Sequence, residues 1–274
     1  MVAPTRATGH WQTAAMEPES GTRAATPVVL VHGNPETEAV WQPVVELLDR
    51  PDVHRPRLPG FGRPLPDGFD ATKEAYVAWL VDALEELGRP VHLVGHDWGG
   101  ALTVRVAETR PDLLVSWCSD ALGLFHPDYV WHDLAQVWQT PGDGEVAVAA
   151  LAGLDAELAV GGFEALGIPR HQAAAFVAAL DDRTGACVLA LYRSAVPERM
   201  APWLAALGDA ARRPGLAVRA TGDPHSGDGR LVVEAAAASG ADVVTLDGLG
   251  HWWMLEDPPG AAAVLTGWFG RHGA

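Results

Sequence analysis

The stretch Gly95-His-Asp-Trp-Gly99 places a glycine two positions before and two positions after Asp97. This spacing is typical of a nucleophile elbow, a strained turn that joins a strand to a helix and exposes one side chain at the edge of a sheet. The flanks fit such a turn, because 91–94 reads as a short buried strand and 100–107 as a helix packed directly after it. Serine usually stands at the centre of the turn, whereas this sequence has Asp97.

A carboxylate at this position predicts a chemistry different from that of serine. It is ionised at neutral pH, so it needs no base to become a nucleophile, and it can displace a leaving group from a saturated carbon. The product would be an alkyl ester of Asp97. Releasing that ester requires water to attack its carbonyl, with a histidine as general base and backbone N–H groups to hold the oxyanion.

The sequence contains candidates for both requirements. His251 lies in a loop directly after the apolar strand predicted at 241–246, which brings it to the same sheet edge as the elbow. Upstream, a predicted strand at 27–31 runs into His32-Gly-Asn-Pro35, a glycine turn. We therefore predict His251 as the base, with the N–H groups of Asn34 and Trp98 as oxyanion donors.

Two acidic residues are candidates for the partner that orients His251. Asp223 follows the predicted strand 215–221, and Asp120 follows the predicted strand 113–118. Asp223 is favoured because it ends a penultimate strand, which is the commoner placement of this acid. Asp120 remains the alternative.

These motifs together resemble the aspartate-nucleophile group of the α/β-hydrolase family, which contains epoxide hydrolases and haloalkane dehalogenases. The resemblance runs from about Val28 to Phe269, and it implies a mostly parallel central sheet with helices on both faces and an inserted helical lid. Residues 93–100 look like the epoxide hydrolase elbow, whereas the loop 32–35 fits both groups. Asn34 with Trp98 also looks like the pair whose N–H groups hold the departing halide in one dehalogenase subgroup.

The resemblance to epoxide hydrolases implies two lid tyrosines that protonate the ring oxygen. Tyr192, in a Tyr-Arg context, matches the second of these tyrosines, but Leu134 stands at the position of the first. Tyr129, five residues earlier, is a candidate substitute on the same predicted helix. Tyr76 is expected on the core face of an earlier helix and is not a candidate.

Apolar strands alternate with amphipathic helices along the chain, which predicts a parallel sheet covered on both faces. From Leu122 to about Leu207 the strand signal disappears and Ala-rich helical segments replace it. We therefore predict a core formed by 1–121 and 208–274, with 122–207 inserted after the sixth strand as a lid. The expected substrate-pocket residues are Tyr129, Trp131, Leu134, Trp138 and Trp252.

The amino-acid composition argues against several classes of binding partner. A net charge of −16 argues against nucleic acid and anionic membranes. The isolated cysteines Cys118 and Cys187 imply neither a metal site nor a disulfide framework. Residues 1–11 lack an apolar signal core, so the cytoplasm is the expected location. No cofactor or metal is required, and a homodimer is compatible with the sequence.

The other histidines carry weaker signals. His32 and His96 flank functional positions and are expected to bond the backbone of their own loops. His132 and His225 have no catalytic or metal-binding residue at a recognisable spacing in the sequence. We therefore expect them to be surface residues or polar residues whose hydrogen bonds are satisfied within the protein. The predicted activity is hydrolysis of a small apolar electrophile with water as co-substrate. An epoxide is the first choice, an alkyl halide the second, and a non-catalytic ligand-binding protein the third.

Overall fold

The computed structural model describes residues 25–273, so the prediction made for residues 1–11 lies outside the described residues. Six strands form one parallel sheet in the order β2-β1-β3-β4-β5-β6. Their bounds are β1 Val28–Val31, β2 Val53–His54, β3 Val91–Gly95, β4 Leu114–Ser119, β5 Gly215–Ala220 and β6 Ala241–Leu246. Every residue of β1 and β3 is buried, as expected for central strands covered on both faces.

Helices cover both faces of this sheet. Alternate residues of β1 divide between two apolar cores, with Val29 and Val31 in one and Val28 and Leu30 in the other. The first core includes α2 (Lys73–Glu86) and α3 (Trp98–Thr109). The second includes α1 (Gln42–Val45), α11 (Trp253–Glu256) and α12 (Pro258–His272). Helix α10 (Gly229–Ser239) packs against β5 and β6. The predicted fold class is therefore confirmed.

All secondary structure between β4 and β5 is helical. The helices are α4 Asp133–Gln139, α5 Asp143–Ala152, α6 Ala156–Ala165, α7 Arg170–Val177, α8 Asp182–Arg193 and α9 Pro197–Ala206. This segment follows the fourth strand of the described residues rather than a sixth. Trp131 stacks on Trp98 of α3, with ring centroids 5.8 Å apart, which places the segment over the elbow. We propose that 122–207 is the lid, with 1–121 and 208–274 as the core.

None of the helices in residues 25–273 has by itself the length and apolar composition of a membrane span. Helices α5 and α6 meet that test only as a pair, and they are bent by 106° at the break between them.

The turn from β3 into α3 depends on close backbone packing. Asp97 adopts φ 51° and ψ −122°, a conformation that L residues rarely occupy. A Cβ atom on Gly95 would lie 2.0 Å from the carbonyl oxygen of Gly99, and a Cβ atom on Gly99 would lie 2.4 Å from the carbonyl oxygen of Val31. The two glycines are therefore required because backbone from β1 and α3 fills the space that a side chain would need.

Replacing one of these glycines should destabilise the fold. We expect Gly95→Ala to lower the free energy of unfolding by about 3 kcal/mol or more, because the clashing neighbour is backbone and cannot rotate away. Gly161→Ala is the matched control, since Gly161 lies in α6 with no atom within 4 Å of an added Cβ. The control should stabilise the protein by about 0.5 to 1 kcal/mol. Urea denaturation measures both variants, and equal stabilities would refute the steric explanation.

Candidate active site

The carboxylate of Asp97 is held at the end of β3 by backbone geometry from two elements. Its Oδ1 atom accepts a hydrogen bond of 2.8 Å from the backbone N–H of Asn34, in the loop after β1. The backbone N–H of Asp97 donates to Oδ1 of Asp120 at 2.9 Å. The side chain is 19% exposed. One oxygen is therefore bonded in place while part of the carboxylate remains accessible.

His251 lies on the other side of this carboxylate. Its Nε2 atom is 3.9 Å from Oδ2 of Asp97, and its Nδ1 atom is 3.1 Å from Oδ2 of Asp223. The backbone N–H of His225 donates to Oδ1 of Asp223 at 2.7 Å and orients that acid. With Nδ1–H directed at Asp223, the neutral ring presents its Nε2 lone pair towards Asp97. Of the two candidate acids, Asp223 is the one in contact with His251.

Asp120 instead contacts a buried histidine next to Asp97. Its Oδ2 atom is 2.6 Å from Nδ1 of His96, while Nε2 of His96 is 2.9 Å from Oε1 of Glu36. We expected His96 to bond the backbone of its loop, and this expectation was wrong, because two carboxylates occupy both ring nitrogens. Glu36 was missed in the sequence. Its signal was an acidic residue two positions after Asn34, in a loop that the fold buries.

The Glu36, His96 and Asp120 side chains form a buried ion network. Burial disfavours the charged form of His96, but the two neighbouring carboxylates outweigh burial and raise its pKa well above its ordinary value. Burial also opposes the ionisation of Glu36, yet His96 lowers the Glu36 pKa to about 2. Donor atoms of Glu36, His96 and His251 lie within 4.8 Å of one another, which is close enough for a shared metal ion. Because His96 already bonds two acids, ion pairing accounts for this cluster.

Burial dominates the titration of the predicted nucleophile. It raises the pKa of Asp97 to about 6, although the positive charges of His251 and His96 act in the opposite direction. Burial likewise opposes ionisation of Asp223, but the hydrogen bond and charge of His251 outweigh it, so the pKa of Asp223 is lowered. Burial disfavours protonated His251, whereas Asp223 raises its pKa enough to give a net increase. At neutral pH Asp97 is therefore mostly ionised.

A small cavity opens onto Asp97 and His251. Its aromatic walls include Tyr129, Trp131 and Tyr192, all three from the segment between β4 and β5. Polar side chains also line it, namely Asp120, Asp223, His132, His225 and Ser226. The space suits a small molecule that is mainly apolar and carries one or two hydrogen-bonding groups.

Tyr192 faces Asp97 across this cavity. Burial, and then the negative charge of Asp97, raise its pKa well above the ordinary value, so the hydroxyl is protonated. The side chains of Asn34 and Trp98 lie close enough to the hydroxyl to act in the opposite direction. Asn34 Nδ2 and Trp98 Nε1 are buried and make no hydrogen bond of normal geometry among residues 25–273. The polar groups of Asn34, Trp98 and Tyr192 therefore lie close together, although only Tyr192 lines the cavity.

Three of the predicted pocket residues do not line this cavity. Leu134 is 49% exposed on the outer side of α4, so its placement in the pocket was wrong. Trp138 lies behind Tyr192, with ring centroids 4.8 Å apart, and lines a neighbouring cavity. Trp252 is buried against His251, and its indole N–H donates to Glu36.

Tyr129 reaches the cavity, but not from the helix on which it was expected. It precedes α4, which begins at Asp133. Its hydroxyl donates to the carbonyl oxygen of His225 at 2.8 Å. This hydrogen bond ties the segment between β4 and β5 to the loop after β5.

His132 and His225 line the cavity, contrary to the expectation that they are surface or satisfied residues. Their ring centroids are 4.8 Å apart, and His225 is 4.9 Å from His251. Burial, and then the charge of His251, lower the pKa of His225 to about 4. The sequence spacing could not predict this row of three imidazoles, because His132, His225 and His251 come from three separate loops.

The sequence matches the model of the Alpha/beta hydrolase family over residues 28–264. A haloalkane dehalogenase of Psychrobacter cryohalolentis is 33% identical over 99 residues, which are 34% of this chain and 33% of that enzyme. An (E)-2-((N-methylformamido)methylene)succinate hydrolase of Acinetobacter baylyi is 33% identical over 90 residues, which are 32% of this chain and 34% of that enzyme. The chain thus aligns with about a third of the length of these relatives.

Similarity in three dimensions extends over nearly the whole chain. The haloalkane dehalogenase DbeA from Bradyrhizobium elkani superposes with a TM-score of 0.71 at 22% identity, covering 91% of each chain. Epoxide Hydrolase A from Mycobacterium thermoresistibile also gives 0.71, at 20% identity, covering 91% of this chain and 92% of that one. At these identities the likeness establishes a common fold. The parallel sheet, the elbow and the family match over residues 28–264 lead to one conclusion: the chain belongs to the alpha/beta hydrolase family.

Proposed function

We propose that this hydrolase opens a small apolar electrophile through a covalent alkyl ester on Asp97. One observation carries the proposal: His251 approaches the free oxygen of a carboxylate whose other oxygen is bonded to the N–H of Asn34. A serine-type site needs its base to deprotonate the nucleophile. Here the nucleophile is already ionised, which leaves His251 free to activate water.

In the first step, Oδ2 of Asp97 attacks the electrophilic carbon from the cavity side. The bond from oxygen to carbon forms as the bond from carbon to the leaving group breaks. Burial assists this step, because a partly dehydrated carboxylate has little water to shed before it reacts. The hydrogen bond from Asn34 fixes the direction of attack.

In the second step, water attacks the carbonyl carbon of the ester. Nε2 of His251 accepts the water proton, and Asp223 stabilises the resulting imidazolium through Nδ1. The N–H of Asn34 and that of Trp98, at the start of α3, are the donors proposed for the oxyanion. Collapse of the intermediate releases the alcohol and restores Asp97.

An epoxide is the substrate class that we favour, with a diol as product. Opening the ring develops negative charge on an oxygen that remains attached to the substrate, and that oxygen needs a proton. Tyr192 faces Asp97 with a protonated hydroxyl and is the donor proposed for it.

An alkyl halide is the second candidate, favoured by a separate observation. Asn34 Nδ2 and Trp98 Nε1 are buried N–H donors that make no hydrogen bond of normal geometry among residues 25–273, although the hydroxyl of Tyr192 lies near both. Such donors are costly unless something accepts from them, and a halide ion would do so. Both substrate classes would form an ester on Asp97. They differ in the leaving group, which is the ring oxygen of an epoxide or a halide ion.

The ester should accumulate when its hydrolysis is blocked. We expect His251→Gln, treated with 1,2-epoxybutane or 1-bromobutane, to carry one substrate-derived group on the Asp97 peptide in mass spectrometry. The epoxide would leave a hydroxybutyl group and the bromide a butyl group, so the adduct also identifies the accepted leaving group. His251→Gln combined with Asp97→Asn is the control and should carry no adduct. Finding none on His251→Gln with either reagent would count against the proposed function.

The folded protein should be more stable when the Asp97 carboxyl is protonated than when it is ionised. Its pKa rises from 3.8 to about 6 in the fold, so the folded protein binds the proton more tightly than the unfolded chain. Stability from this group is therefore complete below pH 3.8 and is lost as pH rises through 6. We expect Asp97→Asn to raise the free energy of unfolding by about 1 to 3 kcal/mol at pH 8, and the gain to vanish towards pH 4. Denaturant titrations at both pH values measure it, with exposed Asp247→Asn as the matched control, and a gain independent of pH would contradict the account.

The two candidate acids should differ when each is replaced. Asp223→Asn is expected to slow ester hydrolysis by about 10³-fold or more, because His251 loses the partner that sets its tautomer. Asp120→Asn keeps an acceptor for the Asp97 N–H and should affect ester hydrolysis much less. Single-turnover measurements of ester decay compare the two variants. A larger defect in Asp120→Asn would reverse the assignment.

A further inference from the structure

His132 is the N-cap of α4 and lines the cavity above Asp97. Its backbone is extended, with φ −62° and ψ 159°, and its Nδ1 atom accepts a hydrogen bond of 3.2 Å from the backbone N–H of Ala135. Cap residues accept such bonds because the first N–H groups of a helix have no partner within it. The imidazole here takes the place of the usual Ser, Thr, Asp or Asn.

This capping bond determines which ring nitrogen of His132 carries the hydrogen. Nδ1 accepts a hydrogen bond, so in the neutral ring the hydrogen resides on Nε2. Burial, and then the positive charge of His251, lower the pKa of His132. Protonating Nδ1 would also break the cap and set a cation against the positive end of the helix. The ring is therefore a neutral N–H donor at physiological pH.

The position of the ring leaves this donor unused by the protein. His132 lies 4.8 Å from the ring of His225 and 6.5 Å from that of Tyr192, measured between centroids, and all three line the cavity with Asp97. Among residues 25–273, Nε2 of His132 has no hydrogen-bond partner, whereas the hydroxyl of neighbouring Tyr129 is occupied by His225.

We infer that His132 is the second donor to the substrate oxygen, supplying a hydrogen bond from Nε2–H beside the hydroxyl of Tyr192. This inference rests on the proposed function and deepens it, because two donors in one cavity favour an epoxide over a halide. It also accounts for Leu134, which points outward while His132, two residues earlier, faces the site. Comparison with the two lid tyrosines does not find His132, because an imidazole takes the place of a phenol as the inferred donor.

The ring-opening step balances with His132 unchanged. Asp97 forms a bond to one ring carbon, the bond from that carbon to the ring oxygen breaks, and the electron pair goes to the oxygen. Tyr192 gives that oxygen its proton, while His132 keeps its own and stabilises the developing charge by hydrogen bonding. In the second step His251 first takes the water proton and then passes it to the departing alcohol. The proton released as the Asp97 carboxylate forms again restores the hydroxyl of Tyr192.

The variant His132→Asn tests this role without removing the cap. Asparagine is a good N-cap, so the acceptor for Ala135 is retained, but its side chain is too short to replace Nε2–H. In the His251→Gln background, the rate of Asp97 alkylation by 1,2-epoxybutane is measured by quenched-flow mass spectrometry. We expect His132→Asn to lower that rate by about 100-fold and to lower the rate with 1-bromobutane less than threefold, in line with the loss of one oxyanion donor. His171→Asn, the same substitution on the exposed side of α7, is the control and should change neither rate.

The outcomes separate the inference from the proposed function. Equal alkylation by the epoxide with and without His132 would overturn the inference and leave the Asp97 ester intact. An equal fall with epoxide and bromide would also overturn it, because His132 would then shape the pocket without acting on oxygen. If His251→Gln alone forms no adduct, the proposed function fails and the inference fails with it.

Discussion

The negative charge of Asp97 must be kept in a place with little water, and the surrounding structure compensates for it. Burial raises the pKa of this carboxyl, and the net value after all neighbouring charges are included is about 6. The positive charge of His251 when it is protonated, the charge of His96 and the N–H of Asn34 limit that rise. His96 can supply its charge only because Glu36 and Asp120 bond both of its nitrogens. A buried cation without such partners would lose its proton instead.

This arrangement divides the acids near the site between two histidines. Glu36 and Asp120 keep His96 charged, and Asp223 contacts Nδ1 of His251, the base that we propose. The indole N–H groups of Trp252 and Trp253 satisfy Glu36 and Asp120, so α11 and the loop before it complete the network. The site is thus supported by elements on both sides of the sheet edge, and the segment between β4 and β5 contributes polar side chains that line the cavity.

The parts of this arrangement that depend on local sequence were predictable. Glycines around Asp97 mark the elbow because backbone contacts leave room for nothing larger, and a loop residue after a parallel strand, such as His251, must lie at the same edge. The contribution of the segment between β4 and β5 was not predictable in this way. Whether His132 or Leu134 faces Asp97 depends on where α4 begins, and the start of the helix is set by a side chain that caps it. Comparison with the two lid tyrosines of epoxide hydrolases led to Leu134, which is exposed and does not line the cavity. Glu36 was missed because its partner, His96, is 60 positions away in the sequence.

The central claim is that the substrate is bound covalently to Asp97 before water enters the reaction, and an isotope experiment tests it most directly. Enzyme in excess over an accepted substrate completes a single turnover in water enriched in oxygen-18. Because water attacks the ester carbonyl, the label should enter the Asp97 carboxylate, and the new hydroxyl of the product should carry the ordinary oxygen that Asp97 donated. Label in the product of that first turnover, with none in the Asp97 peptide, would show direct attack of water on the substrate and contradict the account.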